Sequence, residues 1–292
     1  MKIDQYLTDH GFQRSPSDAN LYIKHIGDDI MFVVVYVDDL IITSSSTHLI
    51  HGIKQHLCST FDITDLGLLH YCLGVEVWQT ENNIFPSQSK YARNLVDRFR
   101  MQDCKPATTP MEPGLKFSAQ SSSPLVDETL FRQLVGSLIH LTATRPDINF
   151  VVSYISRFMS ALKVDHWIAA KRVLHYVCRT PDYGLLYTRS SDPILSGYTD
   201  SYWAGSIDDR KSTAGYVFNL GSSVVTWTSK KQHAVALSST EAKYWGAVKA
   251  SCDAVWLRSM LADMHVFQTG PTPLFCDNQG VLKLAKNPVF HE

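Results

Sequence analysis

The sequence predicts an α+β chain: antiparallel hairpins first, helices in the middle, and a mixed-sheet α/β domain at the end. Three observations predict it. Residues 32–43, FVVVYVDDLIIT, set two β-branched apolar runs around adjacent aspartates. Such residues fit a pleated, buried surface, and a polar pair between two such runs reads as a hairpin turn. Residues 131–180 carry apolar side chains at helical spacing, with Leu134, Leu138 and Leu141 on one face. From Ile194 onward the order becomes β-β-β-α-β-α, with a carboxylate at the end of the first strand, the start of the long helix and the end of the fourth strand.

Composition sets the bounds. The 292 residues suffice for two domains or more, and 45% hydrophobic with 19% charged describes globular protein, not disorder. A net charge of −1 does not advertise a basic nucleic-acid face, yet a channel can be locally basic, so net charge neither supports nor excludes such a partner. The six cysteines (Cys58, Cys72, Cys104, Cys178, Cys252, Cys276) form no CxxC pair, which speaks against a zinc knuckle and a disulfide framework and fits a reducing compartment. MKIDQYLTDHGF has no run of signal-peptide type, and no stretch approaches ~20 uninterrupted apolar residues. The expectation is a soluble intracellular chain with no membrane partner.

Taken in order, residues 1–11 suit a short helix with Ile3 and Leu7 four apart, stopped by Gly11. LYIKHI (21–26) pairs across Gly27-Asp28-Asp29 with the strand leading to Asp38. Ser44 to Ser46 cap a helix through Leu57. LLHYCLGVEVWQT reads as a further strand with Leu73-Gly74 in its middle, where glycine marks a bulge or a close approach by another backbone. Ser87 to Met101 reads as an amphipathic helix with basic Lys90, Arg93, Arg98 and Arg100, suited either to a duplex backbone or to a solvated face. Residues 102–127, rich in Pro, Ser and Thr, read as a linker. Two helical patterns come next, 131–148 with a proline stop and one ending HWIAAKRVLHYVCRT (166–180), and Arg145 and Asp147 flank the proline as a structural pair.

The last third reads as strands ILSGYTD, TAGYVFNL (213–220) and SVVTWTSKK (223–231), then one long helix. Its apolar stripe is Trp245, Val248, Cys252, Val255, Trp256, Met260 and Met264. Strand PLFCD and helix NQGVLKLAKN close the pattern.

Two carboxylate sets carry candidate chemistry. Asp38 and Asp39 at a hairpin tip are either a polar turn, as Gly27-Asp28-Asp29 is, or a like-charge pair relieved by a divalent cation. Asp200, Glu241 and Asp277 could converge on two divalent ions that clamp an in-line phosphoryl displacement. Alternatively, Ser238-Ser239-Thr240-Glu241 is a capping box, and the two aspartates are strand-end turn residues.

Tyr36-Val37-Asp38-Asp39-Leu40, with its apolar flanks, resembles the YVDD box of reverse transcriptases. The resemblance implies a palm hairpin whose first aspartate binds catalytic metals, with Tyr36 near nucleic acid and Leu73 and Gly74 in a primer grip. VGSLIHLTATRPDI, with AAKRVLHYV and GLLY behind it, resembles the connection segment of copia-type retrotransposon polyproteins. GYTDSYWAG, DRKSTAGYVF, VTWTSKKQHAVALSSTEAKY and FCDNQG resemble the ribonuclease H domain of those elements. The resemblance implies a partial palm at 1–86, a thumb-like helix and linker at 87–127, a connection at 128–190 and a ribonuclease H-like domain at 191–292. It puts catalytic and metal-binding roles on Asp38, Asp39, Asp200, Glu241 and Asp277. Arg210, Ser212, Lys230 and Lys231 become candidate contacts to hybrid phosphates, while Tyr198, Trp203 and Trp227 read as core. The implied cofactor is Mg²⁺, with Mn²⁺ as substitute. Implied partners are an RNA:DNA hybrid or an RNA template with a DNA primer, and the remainder of the Pol polyprotein, in a cytoplasmic particle or the nucleus.

The chain also departs from that pattern. The resemblance implies a further palm aspartate well before Tyr36, but Asp4, Asp9 and Asp18 stand in polar or turn-like context. It implies a fourth nuclease carboxylate near the end, for which Glu292 is a weak substitute. Ser201 and Tyr202 stand where the family tends to carry Ala-Asp, and Lys243 where it often has Glu. The expectation is a Pol fragment truncated at both ends, without polymerase activity of its own. A catalytically dead remnant that binds nucleic acid is the alternative. A transposase or integrase also shares this carboxylate pattern, but the upstream YVDD hairpin argues against it.

Overall fold

The structure is a computed structural model and describes residues 2–120, 124, 127–160, 162–189 and 193–287. These fall into two compact units, Met1–Leu69 with Asp253–Pro271, and His70–Cys252 with Thr272–Glu292. The chain is mixed α+β, as expected, and its sheets are largely antiparallel.

In the first unit, α1 (Lys2–Asp9) buries Leu7 completely and ends before Gly11, whose φ of +82° is the left-handed conformation glycine adopts freely. Strands β1 (Gln13–Arg14), β2 (Leu21–Ile26), β3 (Asp29–Tyr36) and β4 (Asp39–Ser44) form an antiparallel sheet in that order. Alternation along β3 turns Met31, Val33 and Val35 inward onto Leu7, Phe12 and Tyr22. Helix α2 (Thr47–Thr60) adds Leu49 and Ile53 to that cluster. Residues 253–271 join through Asp263, which accepts from the Ser15 hydroxyl at 2.6 Å and the Ser17 N–H at 3.2 Å. Trp256 Nε1 donates to the Ser17 carbonyl at 3.1 Å.

The second unit opens on β5 (Tyr71–Cys72), β6 (Val75–Gln79) and β7 (Asn83–Ser87), completed by the distant β8 (Tyr187–Thr188). Here the expected single strand through Leu73-Gly74 is corrected. Cys72 pairs with Val75, so Leu73 and Gly74 are a two-residue hairpin turn, with φ of +50° and +84°. Positive φ at both positions gives the turn twist that matches two antiparallel strands. The expected close approach at Gly74 is real but comes from a side chain: an added Cβ would lie 2.7 Å from His140 Nε2.

Helices α3 (Ser89–Arg98), α4 (Glu128–Leu141), α5 (Pro146–Ile155) and α6 (Val164–Arg179) share one core, including Leu95, Phe131, Leu134, Leu138, Ile148 and Val173. Full burial of each large side chain contributes roughly 1.5–3 kcal/mol. Asp127 caps α4 by accepting from the N–H groups of Thr129 and Leu130 at 2.8 and 3.2 Å. Pro146 begins α5 rather than stopping the helix before it, because a first-turn proline has no intrahelical bond to lose. Residues 102–120 lack helix and strand but are not a free linker: Phe117 is buried in the core, and the Ala107 N–H bonds the His175 carbonyl at 3.1 Å. Residues 121–123, 125 and 126 of that stretch lie outside the described residues.

The expected β-β-β-α-β-α order then appears as β9 (Leu195–Tyr202), β10 (Thr213–Leu220), β11 (Ser223–Lys231), α7 (Ser239–Asp263), β12 (Leu274–Phe275) and α8 (Gln279–Lys286). The sheet order is β11-β10-β9-β12, with β12 parallel to β9 and the other pairs antiparallel. The expected apolar stripe of α7 does not form its buried face. Trp245, Val248, Val255 and Trp256 are exposed, while Ala242, Gly246, Ala250, Leu257 and Leu261 are buried. In residues 239–252 the small side chains let the helix approach β9 closely, and large ones at those positions would hold it off. Among the described residues no helix is long and apolar enough to cross a membrane.

Candidate functional site

The hairpin between β3 and β4 carries the acidic pair where expected. Tyr36 pairs with Asp39, so Val37 and Asp38 form a two-residue turn. Both aspartates and Tyr36 are exposed. Val37 has φ +54° and is also exposed. A β-branched residue there is strained, at a cost on the order of 1–3 kcal/mol, and such strain concentrates at functional sites.

The second set is built by the β9–β12 pairing. Phe275 stands opposite Tyr198, so Asp277, two residues on, points the same way as Asp200 on β9. Their common neighbour is Lys243, on the first turns of α7. Its Nζ donates to Asp200 Oδ1 at 3.0 Å and also to Asp277 Oδ1. The lysine side chain is only 16% exposed, the two carboxylates 73% and 70%. The hydrogen bond to Asp277 holds the Lys243 ammonium above the usual lysine range, and the same bond holds the Asp277 carboxyl below the carboxylate range. Asn278 caps α8 by accepting from the Val281 N–H at 2.9 Å, and its side-chain amide reaches Thr240 Oγ1 at 3.5 Å. Those bonds tie the strand end that carries Asp277 to the start of α7.

Glu241 is turned elsewhere. Its carboxylate accepts the Leu237 N–H at 2.7 Å, while Ser238 Oγ accepts the Glu241 N–H at 3.1 Å. This is the capping alternative, shifted one residue from the usual box. Two of the three expected carboxylates therefore meet, around an ammonium, and the third caps a helix. These side chains do not fit a two-ion centre as they stand. Among the described residues no group of three or more His, Cys, Asp or Glu is arranged to hold a metal ion. A divalent ion ~4 Å from the ammonium would be repelled by about 2 kcal/mol with water-like screening and about 8 kcal/mol with screening typical of a protein surface. Glu292 lies outside the described residues.

A groove of about 930 Å³ leads to the pair, running between α5 and the sheet, with Asn149, Phe150, Tyr198, Trp227 and Phe275 along it. Tyr198 and Phe275 stack with ring centres 4.9 Å apart and are about half exposed. Trp203, also read as core, is 43% exposed. Sequence reasoning missed Phe275 and Asn149, and only the strand pairing reveals them.

Of the expected phosphate contacts, Arg210 and Lys230 are exposed. Lys231 Nζ pairs with Asp209 at 2.8 Å. Ser212 is fully buried, and its hydroxyl accepts from the Ala204 N–H at 3.1 Å, which shapes the loop instead of facing solvent. Leu73 is half exposed at its turn. On α3, Arg93 Nη2 donates to both carboxylate oxygens of Asp182, at 2.7 and 2.6 Å.

A family model described as reverse transcriptase (RNA-dependent DNA polymerase) matches residues 1–113. The retrovirus-related Pol polyprotein from transposon RE1 of Arabidopsis thaliana is 39% identical over 100% of the chain and 20% of its own length. The corresponding polyprotein from transposon TNT 1-94 of Nicotiana tabacum is 35% identical over 100% of the chain and 22% of its own length. The uncharacterized mitochondrial protein AtMg00810 of Arabidopsis thaliana is 36% identical over 77% of the chain and 94% of its own length. No solved structure matches. The chain spans about a fifth of the length of the Pol polyproteins it matches. It belongs to the copia-type Pol polyproteins of retrotransposons and carries part of their reverse transcriptase domain.

Proposed function

We propose that the chain is the palm-hairpin, thumb, connection and ribonuclease H-like region of such a Pol, and that its last module grips an RNA:DNA hybrid without cutting it. In this reading residues 1–86 are palm, 87–127 thumb-like helix and linker, 128–190 connection and 191–292 the ribonuclease H-like module. Tyr36 contacts nucleic acid in the first unit, Leu73 and Gly74 contact a primer end in the second, and the remainder of the polyprotein is the natural partner.

The β9–β12 pairing carries the reading. It sets Asp200 and Asp277 together at the end of an aromatic groove. Exposed rings such as Tyr198 and Phe275 offer apolar surface to the sugars of a duplex, and exposed Arg210 and Lys230 offer charge to phosphates. Binding without cleavage is favoured because the Lys243 ammonium occupies the carboxylate pair and offsets one of its two charges, and Glu241 caps α7. The convergence of Asp200 and Asp277 also supports a second reading, Mg²⁺- or Mn²⁺-dependent hydrolysis of the RNA strand, which would need both Lys243 and Glu241 to move.

Fluorescence anisotropy with a labelled RNA:DNA hybrid tests the grip. We expect saturable binding that weakens with salt, and weaker binding in Phe275→Ala from removal of an apolar contact to the sugar face of the duplex. Salt-insensitive or absent binding would refute the proposal.

A further inference from the structure

We infer that Lys243 is a resident cation: its ammonium takes the place a divalent ion would need between Asp200 and Asp277, and so keeps that carboxylate pair from binding metal. The inference rests on the proposed reading of this pair as the metal-facing part of the module.

The geometry argues for a built-in cation. Nζ donates to one oxygen of each aspartate, at 3.0 Å from Asp200 and in direct contact with Asp277. The lysine is not a surface side chain that settled there, being 16% exposed while its partners are open to water. Its helix is pinned from two sides. Gly246, one turn further along α7, lies against Ser201 beside Asp200, and Asn278 beside Asp277 reaches Thr240 on the turn that precedes Lys243. Two carboxylates and one ammonium carry a net single negative charge. Without the ammonium they carry two, the charge a hard divalent cation with oxygen ligands neutralises. Glu241 cannot tip the balance toward metal while it accepts the Leu237 N–H.

The experiment needs no nucleic acid. Mn²⁺ binding by the full chain is read from loss of the free-ion electron paramagnetic resonance signal, and Mg²⁺ binding from the shift in melting temperature. We expect no saturable Mn²⁺ site at this pair in the unsubstituted chain or in Lys243→Arg. Lys243→Gln should gain a saturable Mn²⁺ site and a Mg²⁺-dependent rise in melting temperature. Asp277→Asn added to Lys243→Gln should abolish both gains. If Lys243→Gln fails to fold by circular dichroism, Lys243→Met, which keeps the apolar stem, is read instead. Equal Mn²⁺ binding with and without the lysine charge, or a folded Lys243→Gln or Lys243→Met that gains none, overturns the inference. Hybrid binding measured on the same samples separates the two ideas: its loss with the Mn²⁺ gain intact counts against the functional proposal alone.

Discussion

Gly246 of α7 lies so close to Ser201 of β9 that an added Cβ would stand 2.6 Å from the serine Oγ. The serine oxygen is buried and, among the described residues, has no hydrogen-bond partner, so it yields only by turning into a tight space. The contact fixes the distance between α7 and the strand that carries Asp200, and with it the reach of Lys243.

Gly246→Ala therefore sets two effects against each other. Alanine gains up to about 1 kcal/mol of helix propensity, whereas overpacking costs about 1–3 kcal/mol. We expect a net loss of stability from the single change. In a Ser201→Ala background the same change should be neutral or stabilising. Chemical denaturation of the four-member cycle reads the coupling, and additive effects would show that the contact is not the constraint.

Arg145 is 1% exposed and is met by both oxygens of Asp147 at 2.9 and 2.7 Å, with Nη1 donating to the Thr180 carbonyl at 2.8 Å. Removing the acid leaves a buried guanidinium short of its partner. Asp147→Ala should cost about 3–5 kcal/mol, and pairing it with Arg145→Met should cost less than the sum of the two. Urea unfolding of the three variants measures it, and a loss under about 1 kcal/mol in Asp147→Ala would contradict it.

The strained Val37 turn yields a prediction of opposite sign. Asparagine tolerates positive φ better than a β-branched residue. Val37→Asn should stabilise the first unit by about 1 kcal/mol, visible as slower amide exchange in β3 and β4. Unchanged exchange would mean that the turn carries no strain.

Asp209 supplies the pH dependence. Burial raises its carboxyl, but hydrogen bonds from Lys231, Ser206 and the Lys211 N–H outweigh that and hold it at about 2. Because the folded value lies below the ordinary 3.8, this contribution is complete above pH ~4 and is lost as pH falls toward 2. The pair is partly open to water, which limits the effect to about 1 kcal/mol or less. Lys231→Met should flatten stability across that window, and an acid limb identical to the unsubstituted chain would sink the assignment.

Features were legible in the sequence to the extent that their causes are local. The hairpin at 32–43 was legible because β-branched alternation and turn chemistry act over a few residues. The strand and helix order after Ile194 was legible for the same reason. The buried face of α7 was not, because Ala242, Gly246 and Ala250 are chosen for closeness to a sheet and carry little hydrophobic signal beside Trp245 and Trp256. Pairing of β7 with β8 joins short strands far apart in the chain, which no local pattern announces. Phe117 hid in a Pro- and Ser-rich stretch. The carboxylates Asp200 and Asp277 could be named from sequence, but not the ammonium between them, because Lys243 acquires that role only where three separate elements converge.

The most direct measurement is the fate of the RNA strand when the purified chain, saturated with a labelled RNA:DNA hybrid, is given Mg²⁺ or Mn²⁺. The expected result is a bound hybrid whose RNA stays intact. RNA cut by the unsubstituted chain and left whole by Asp277→Asn would contradict it, and would mean that Lys243 gives way to metal when the hybrid arrives.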